Sequence, residues 1–159
     1  MEYIDMLKPI EPAKSIFALL FLLSNRLETI GNSFLGEITS KQWFMMAAVT
    51  TCFSVPPSIG EVAACVGLSH QNVKKIAARL EEKGFLKLEK DSSDRRVLRL
   101  KVTEKAFQYE QKSQAKNERF LKDLFSGFNT SEQKDLLTAL HKLMQQLEFM
   151  NRIRKDNAK

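Results

Sequence analysis

Histidine and cysteine are scarce in this chain. His70 and His141 lie far apart, and Cys52 and Cys65 stand alone without CxxC spacing. A metal site needs His, Cys and carboxylates clustered at close intervals, so no metal is expected. A disulfide framework is equally unsupported, and both cysteines read as small core residues in a reducing compartment. Neither has a cationic neighbour in sequence to stabilise a thiolate, which argues against redox sensing. The chain also lacks a Gly-rich phosphate loop, a nucleophile elbow and any familiar grouping of His with Cys or Ser and an acid, so neither catalysis nor a cofactor is expected. The one strongly apolar run, IFALLFLL at residues 16–23, falls well short of the roughly 20 residues that cross a bilayer. Glu2 and Asp5 precede it, where a signal peptide would be basic. Its apolar spacing continues through Leu27, Ile30 and Phe34, so it reads as a buried helix of a cytoplasmic protein with no membrane partner.

What is present is the composition of a globular protein: 159 residues, 43% hydrophobic and 28% charged, the size of a single domain spanning 1–159. The net charge of +6 is concentrated. Residues 69–105 hold eleven Lys/Arg against six Asp/Glu, and the remainder is nearly balanced. Such a window attracts polyanions, unless it is only a solvated face.

Helix starts are marked by capping-box spacings at Thr39 with Gln42, Ser58 with Glu61, and Thr130 with Gln133, which predict helices near 40–53, 59–66 and 131–153. Pro56-Pro57 separates the first two. In SHQNVKKIAARLEEKG, Val73, Ile76, Ala77 and Leu80 form one apolar stripe, with Ser69 to cap the helix and Gly84 to end it. Leu86 and Leu88, then Leu98, Leu100 and Val102, alternate with Lys87, Arg99 and Lys101, which predicts a hairpin of strands 86–90 and 96–102 with its tip at 91–95. A long helix follows Thr103. The last helix repeats Leu136, Leu140, Leu143, Leu147 and Met150 at alternating steps of four and three, the seam of lengthwise helix packing in a bundle core or a dimer interface. NRIRKDNAK at the end looks like a frayed tail.

The helix at 59–66 carries Ile59, Val62, Ala63 and Val66 inward and is joined through Gly67-Leu68 to the Ser69-capped helix, a helix-turn-helix pattern. The second helix presents Ser69, His70, Gln71, Asn72, Lys74 and Lys75 from its exposed first turns. Amides of that kind pair with base edges, and lysines with guanine or phosphate. In the wing that follows, Asp94 and Arg96 stand two apart on an extended segment, so the carboxylate can hold the guanidinium in a rotamer suited to a narrow, electronegative minor groove. Arg95 points the other way, towards the phosphate wall or the protein body.

The segments TSKQW, IGEVAACVGLSHQNVKKIAARLEEKGFL and DSSDRRVLRLKVTEKA resemble the MarR family of bacterial winged helix-turn-helix transcription regulators. The resemblance implies a mainly α fold with a small β-hairpin wing, a core at 39–103 and long dimerisation helices at 13–36 and 104–153. It further implies a homodimer that binds double-stranded DNA at a pseudo-palindromic operator, with the wing arginine matching Arg96 in the minor groove and the aspartate matching Asp94 positioning it. Many members are repressors released by small aromatic or phenolic effectors in the crevice beside the dimerisation helices, which points to Phe21, Trp43 and Phe44, residues that core packing also explains. Two departures stand out. Ala106 replaces a usual glycine, and Glu89 stands where many members are basic. The peroxide-sensing branch carries a cysteine in its first helix, and this chain has none there. The alternative reading is a winged-helix module that binds proteins rather than DNA.

Overall fold

The computed structural model of the chain describes residues 11–157. In order, these form α1 (Pro12–Leu35), α2 (Ser40–Thr51), α3 (Ile59–Val66), α4 (His70–Glu82), β1 (Leu86–Lys90), β2 (Leu98–Val102), α5 (Glu104–Leu124) and α6 (Thr130–Asp156). The fold is mainly α with one antiparallel hairpin, a winged helix-turn-helix flanked by long helices. The chain divides into two compact units, one ending at Tyr109 and the other starting at Glu110.

The first unit is built around the buried side chains of Ile38, Met45, Val49, Ile59, Val62, Val73, Ala77, Leu80, Phe85, Leu86 and Leu100. Every element from α2 to β2 contributes its inward stripe. Phe85 is fully buried, with its ring edge-on to Tyr109 at 5.3 Å and Lys105 Nζ 4.4 Å from its centroid. Thr39 and Ser58 form capping boxes with Gln42 and Glu61, and Ser69 Oγ accepts from Asn72 N–H, as the spacings predict. The turn between α3 and α4 is closed by Gly67 at φ 69°, a left-handed conformation in which a Cβ is costly. α4 ends in a Schellman motif, with Gly84 N–H donating to Glu81 O at 2.8 Å and Phe85 N–H to Leu80 O at 2.8 Å. This places Phe85 directly under the helix it terminates.

Several details depart from expectation. The hairpin pairs Leu86 with Val102 through Lys90 with Leu98, so β2 begins at Leu98 and residues 91–97 form the tip. α6 is capped by Asn129 boxed with Glu132, not by Thr130 with Gln133. Asparagine outranks threonine as a cap, and its choice moves the start by one residue. Helix continues to Asp156, through much of the expected tail. The cysteines are exposed, not core: Cys52 caps the C-terminal end of α2, and Cys65 lies off the inward stripe of α3. Desolvation and the neighbouring Cys52 thiol push the Cys65 thiol above its ordinary value, which disfavours the reactive thiolate.

The larger departure is α1. Ile16, Phe17, Phe21, Leu23, Leu27 and Ile30 are exposed, where a buried helix was expected. Apolar spacing reports that a face seeks cover, and among the described residues that face is left exposed. α1 meets α2 at Gly31, its one buried residue, where an added Cβ would collide with Ser40 Oγ. Asn32 Oδ1 accepts from Ser40 N–H at 2.7 Å beside that crossing. In the second unit, Phe125 and Phe128 meet edge-on at 5.9 Å. Leu136, Leu140, Leu147 and Met150 of the α6 seam are exposed.

Candidate nucleic-acid interface

α4 is held by one face and offers the other. Val73, Ala77 and Leu80 are completely buried, which fixes the rotation of the helix and leaves His70, Gln71, Asn72, Lys74 and Lys75 exposed. The Ser69 hydroxyl is engaged as the cap, 3.2 Å from Asn72 N. A cleft of about 340 Å³ opens between this helix and the hairpin, lined by His70 and Lys74 on one side, Arg96, Val97 and Leu98 on the other, and Ser58, Ile59 and Gly60 at the start of α3. Residues 26 apart in sequence thus share one concave, cationic surface.

The wing tip is a hydrogen-bonded turn. Asp91 N–H donates to Val97 O and Val97 N–H to Asp94 O, each at 2.9 Å. Asp91 Oδ1 accepts from the amides of Ser93 at 2.8 Å and Asp94 at 3.1 Å. Asp94 grips Arg96 with both oxygens: Oδ1 accepts from Nε at 3.1 Å and Oδ2 from Nη2 at 3.2 Å, while Oδ1 also accepts the Arg96 amide at 3.0 Å. The pairing is as expected, but its cause differs. The segment is a turn, not an extended strand, and the carboxylate reaches the guanidinium by first bonding the backbone two residues on. The Arg96 guanidinium holds the Asp94 carboxyl below its ordinary value. The Arg96 side chain is 91% exposed, so its orientation is set by Asp94 and not by packing. Arg95 is exposed.

Sequence reasoning missed Arg99. Its Nε donates to Asp91 Oδ2 at 2.7 Å, and its Nη1 to Glu61 Oε2 at 3.1 Å and to Pro56 O at 3.4 Å. Asp91, hydrogen-bonded first by Arg99 and then by the Ser93 and Asp94 amides, has its carboxyl lowered to about 2. Glu61 is lowered chiefly by its bonds to Ser58 and also by Arg99. Arg99 faces Glu89 in the strand register, so its pairing with Asp91 is the diagonal contact that a hairpin makes available. That half was open to inference; the link to Glu61, 38 residues away, was not. Glu89 is paired instead with Lys87 at 2.9 Å. The edge of β2 is also tied to the segment before α3, where Leu100 N–H donates to Pro57 O at 2.8 Å.

Of the residues expected to hold an effector, Trp43 packs against the core from α2, Phe44 is 53% exposed, and Phe21 is 62% exposed on α1, edge-on to Phe17 at 5.1 Å. Among the described residues, no group of three or more His, Cys, Asp or Glu is placed to hold a metal ion, and no helix is long and apolar enough to cross a membrane.

A sequence model of the MarR family matches residues 52–97, from the end of α2 to the wing tip. The chain is similar to the transcriptional repressor MprA of Escherichia coli K12, 31% identical over 97 residues that make up 61% of this chain and 54% of that protein. It therefore spans about half the length of the curated relatives it matches. Among solved structures, the PcaV transcriptional regulator of Streptomyces coelicolor, in complex with its natural ligand, superposes with a TM-score of 0.74 at 18% identity, covering 87% of this chain and 98% of that one. The S. aureus MepR–DNA complex superposes with a TM-score of 0.72 at 15% identity, covering 81% and 96%. At these identities the structural likeness shows the fold.

Proposed function

Starting from a MarR-family segment at residues 52–97 in a MarR-type winged helix-turn-helix fold, we propose that this chain is a sequence-specific double-stranded DNA-binding transcriptional regulator. The observation that carries the reading is the cleft in which His70 and Lys74 of α4 face Arg96 of the wing. It matches what a duplex offers: α4 fits a major groove, where Gln71, Asn72 and Lys75 reach base edges and phosphates. The wing, with Arg96 held rigid by Asp94, fits the adjoining minor groove, and Arg95 the phosphates beside it. Ser69 acts by starting the helix. The basic window lies on these same elements, which favours a polyanionic partner over an apolar protein surface.

The functional unit spans residues 1–159 as one MarR-like domain and acts as a homodimer. The exposed apolar faces of α1 and α6 support this, since isolated proteins seldom leave such surfaces uncovered. The core runs over 39–103, with dimerisation helices at 13–36 and 104–153. MprA is a repressor, and PcaV is bound to its natural ligand. By analogy this protein is a cytoplasmic repressor released by a small aromatic or phenolic effector at Phe21, Trp43 and Phe44. Neither catalysis nor a cofactor has a place in this reading.

The test is a binding titration against a random-sequence duplex pool at increasing salt. Nanomolar binding of enriched duplexes is expected, with log K falling linearly against log salt as counterions are released. Enrichment of no duplex, or affinity indifferent to salt, would favour a protein-binding module instead.

A further inference from the structure

We propose that Arg99 is a positioning residue for Arg96: it fastens the wing tip to the start of α3 through Asp91 and Glu61, and so sets where the exposed guanidinium is presented. The inference rests on the DNA-binding reading and concerns how that reading is executed. Two ion pairs organise the tip, and they do different work. Asp94–Arg96 is confined to three consecutive residues. It fixes a rotamer, but it cannot locate the tip relative to α4. Arg99 makes the connection outward, since its fork joins Asp91 in the tip, Glu61 in α3 and the Pro56 carbonyl. Among the described ion pairs, Arg99–Glu61 is the one that ties the hairpin to another element.

The clasp acts through backbone as well as charge. The Asp91 carboxylate uses Oδ2 for Arg99 and Oδ1 for the amides of Ser93 and Asp94. A tug on Asp91 is therefore passed to the residue that holds Arg96. The Asp91 side chain is only 17% exposed and that of Arg99 33%, against 91% for Arg96. The anchored arginine is sheltered and the presented one is exposed. Charge pairs at such partly exposed sites contribute little to overall stability, so the clasp's consequence is geometric.

The experiment is a double-mutant cycle on an operator enriched by the wild-type protein. Arg99→Ala is expected to weaken binding about tenfold while thermal melting stays close to wild type, and Asp91→Asn should move affinity the same way. In an Arg96→Ala background, Arg99→Ala should cost nothing further, and its salt slope should match that of its parent, because a direct phosphate contact would lower the slope by about one. Additive losses in the cycle, or an unchanged affinity for Arg99→Ala, overturn the proposal while leaving DNA binding intact. A wild-type protein that enriches no duplex overturns both readings together.

Discussion

At the scale of single residues, the protein keeps one arginine immobile in orientation yet almost fully exposed. On the proposed DNA-binding reading, holding Arg96 on Asp94 removes rotamer freedom before a duplex is met, so that cost does not fall on binding. Arg96→Ala is expected to weaken operator binding by roughly 1 to 3 kcal/mol, with Asp94→Ala acting in the same direction but less, measured by fluorescence anisotropy. Equal affinities for both variants and the wild type would remove the wing from recognition. The acid response of the tip follows from Asp91. Its carboxyl ordinarily titrates at 3.8 and is lowered to about 2 in the folded tip. The ionised form, and the order it imposes, is therefore retained well below neutrality and lost as pH falls through about 2, while the stability it contributes declines between about 4 and about 2. Amide resonances of Ser93 and Asp94 should hold position down to pH 4 and shift below it; a shift near pH 6 would contradict the clasp geometry.

At the scale of elements, what was legible depended on how local the determining contact is. Ser58, Ser69 and Gly84 announce their helix ends because each acts within about four residues. Asn129 was overlooked because Thr130 with Gln133 offers the same spacing, one residue out of step. The hairpin and its tip were visible from alternation, but the tip's full extent was not, since Arg96 is drawn into the turn by the Asp94 carboxylate and Val97 by backbone bonds with Asp91 and Asp94, which alternation does not report. The exposed residues of α4 could be named from one helix face. The clasp from Arg99 to Glu61 could not, because only the fold brings the hairpin to α3. Gly67 offers a clean test of the turn that sets the helix-turn-helix. Replacing it with alanine at φ 69° should destabilise the protein by about 1 to 2 kcal/mol, read as a lower urea midpoint with an unchanged slope. An unaltered midpoint would mean that the turn relaxes without cost.

At the scale of the whole molecule, the sequence announced apolar faces without saying what covers them. The pattern of α1 is the same whether its partner is its own chain or another, so a helix expected to be buried is exposed in the single chain. If a second copy supplies the cover, sedimentation should give a dimer, and Leu140→Arg with Leu147→Arg should drive it towards monomer and weaken operator binding. Footprints should then show half-sites roughly 34 Å apart, one turn of the duplex. A monomeric wild type, or a footprint on one asymmetric half-site, would sink that arrangement. The crossing of α1 over α2 constrains how such a protein could change shape. With the Ser40 hydroxyl seated where Gly31 has no side chain, the two helices touch without slack. Gliding of one helix along the other there would displace the Ser40 side chain, so if an effector acts on α1, a pivot about that point is the motion the contact favours, a small swivel at the glycine becoming a wider sweep at the far end of the lever.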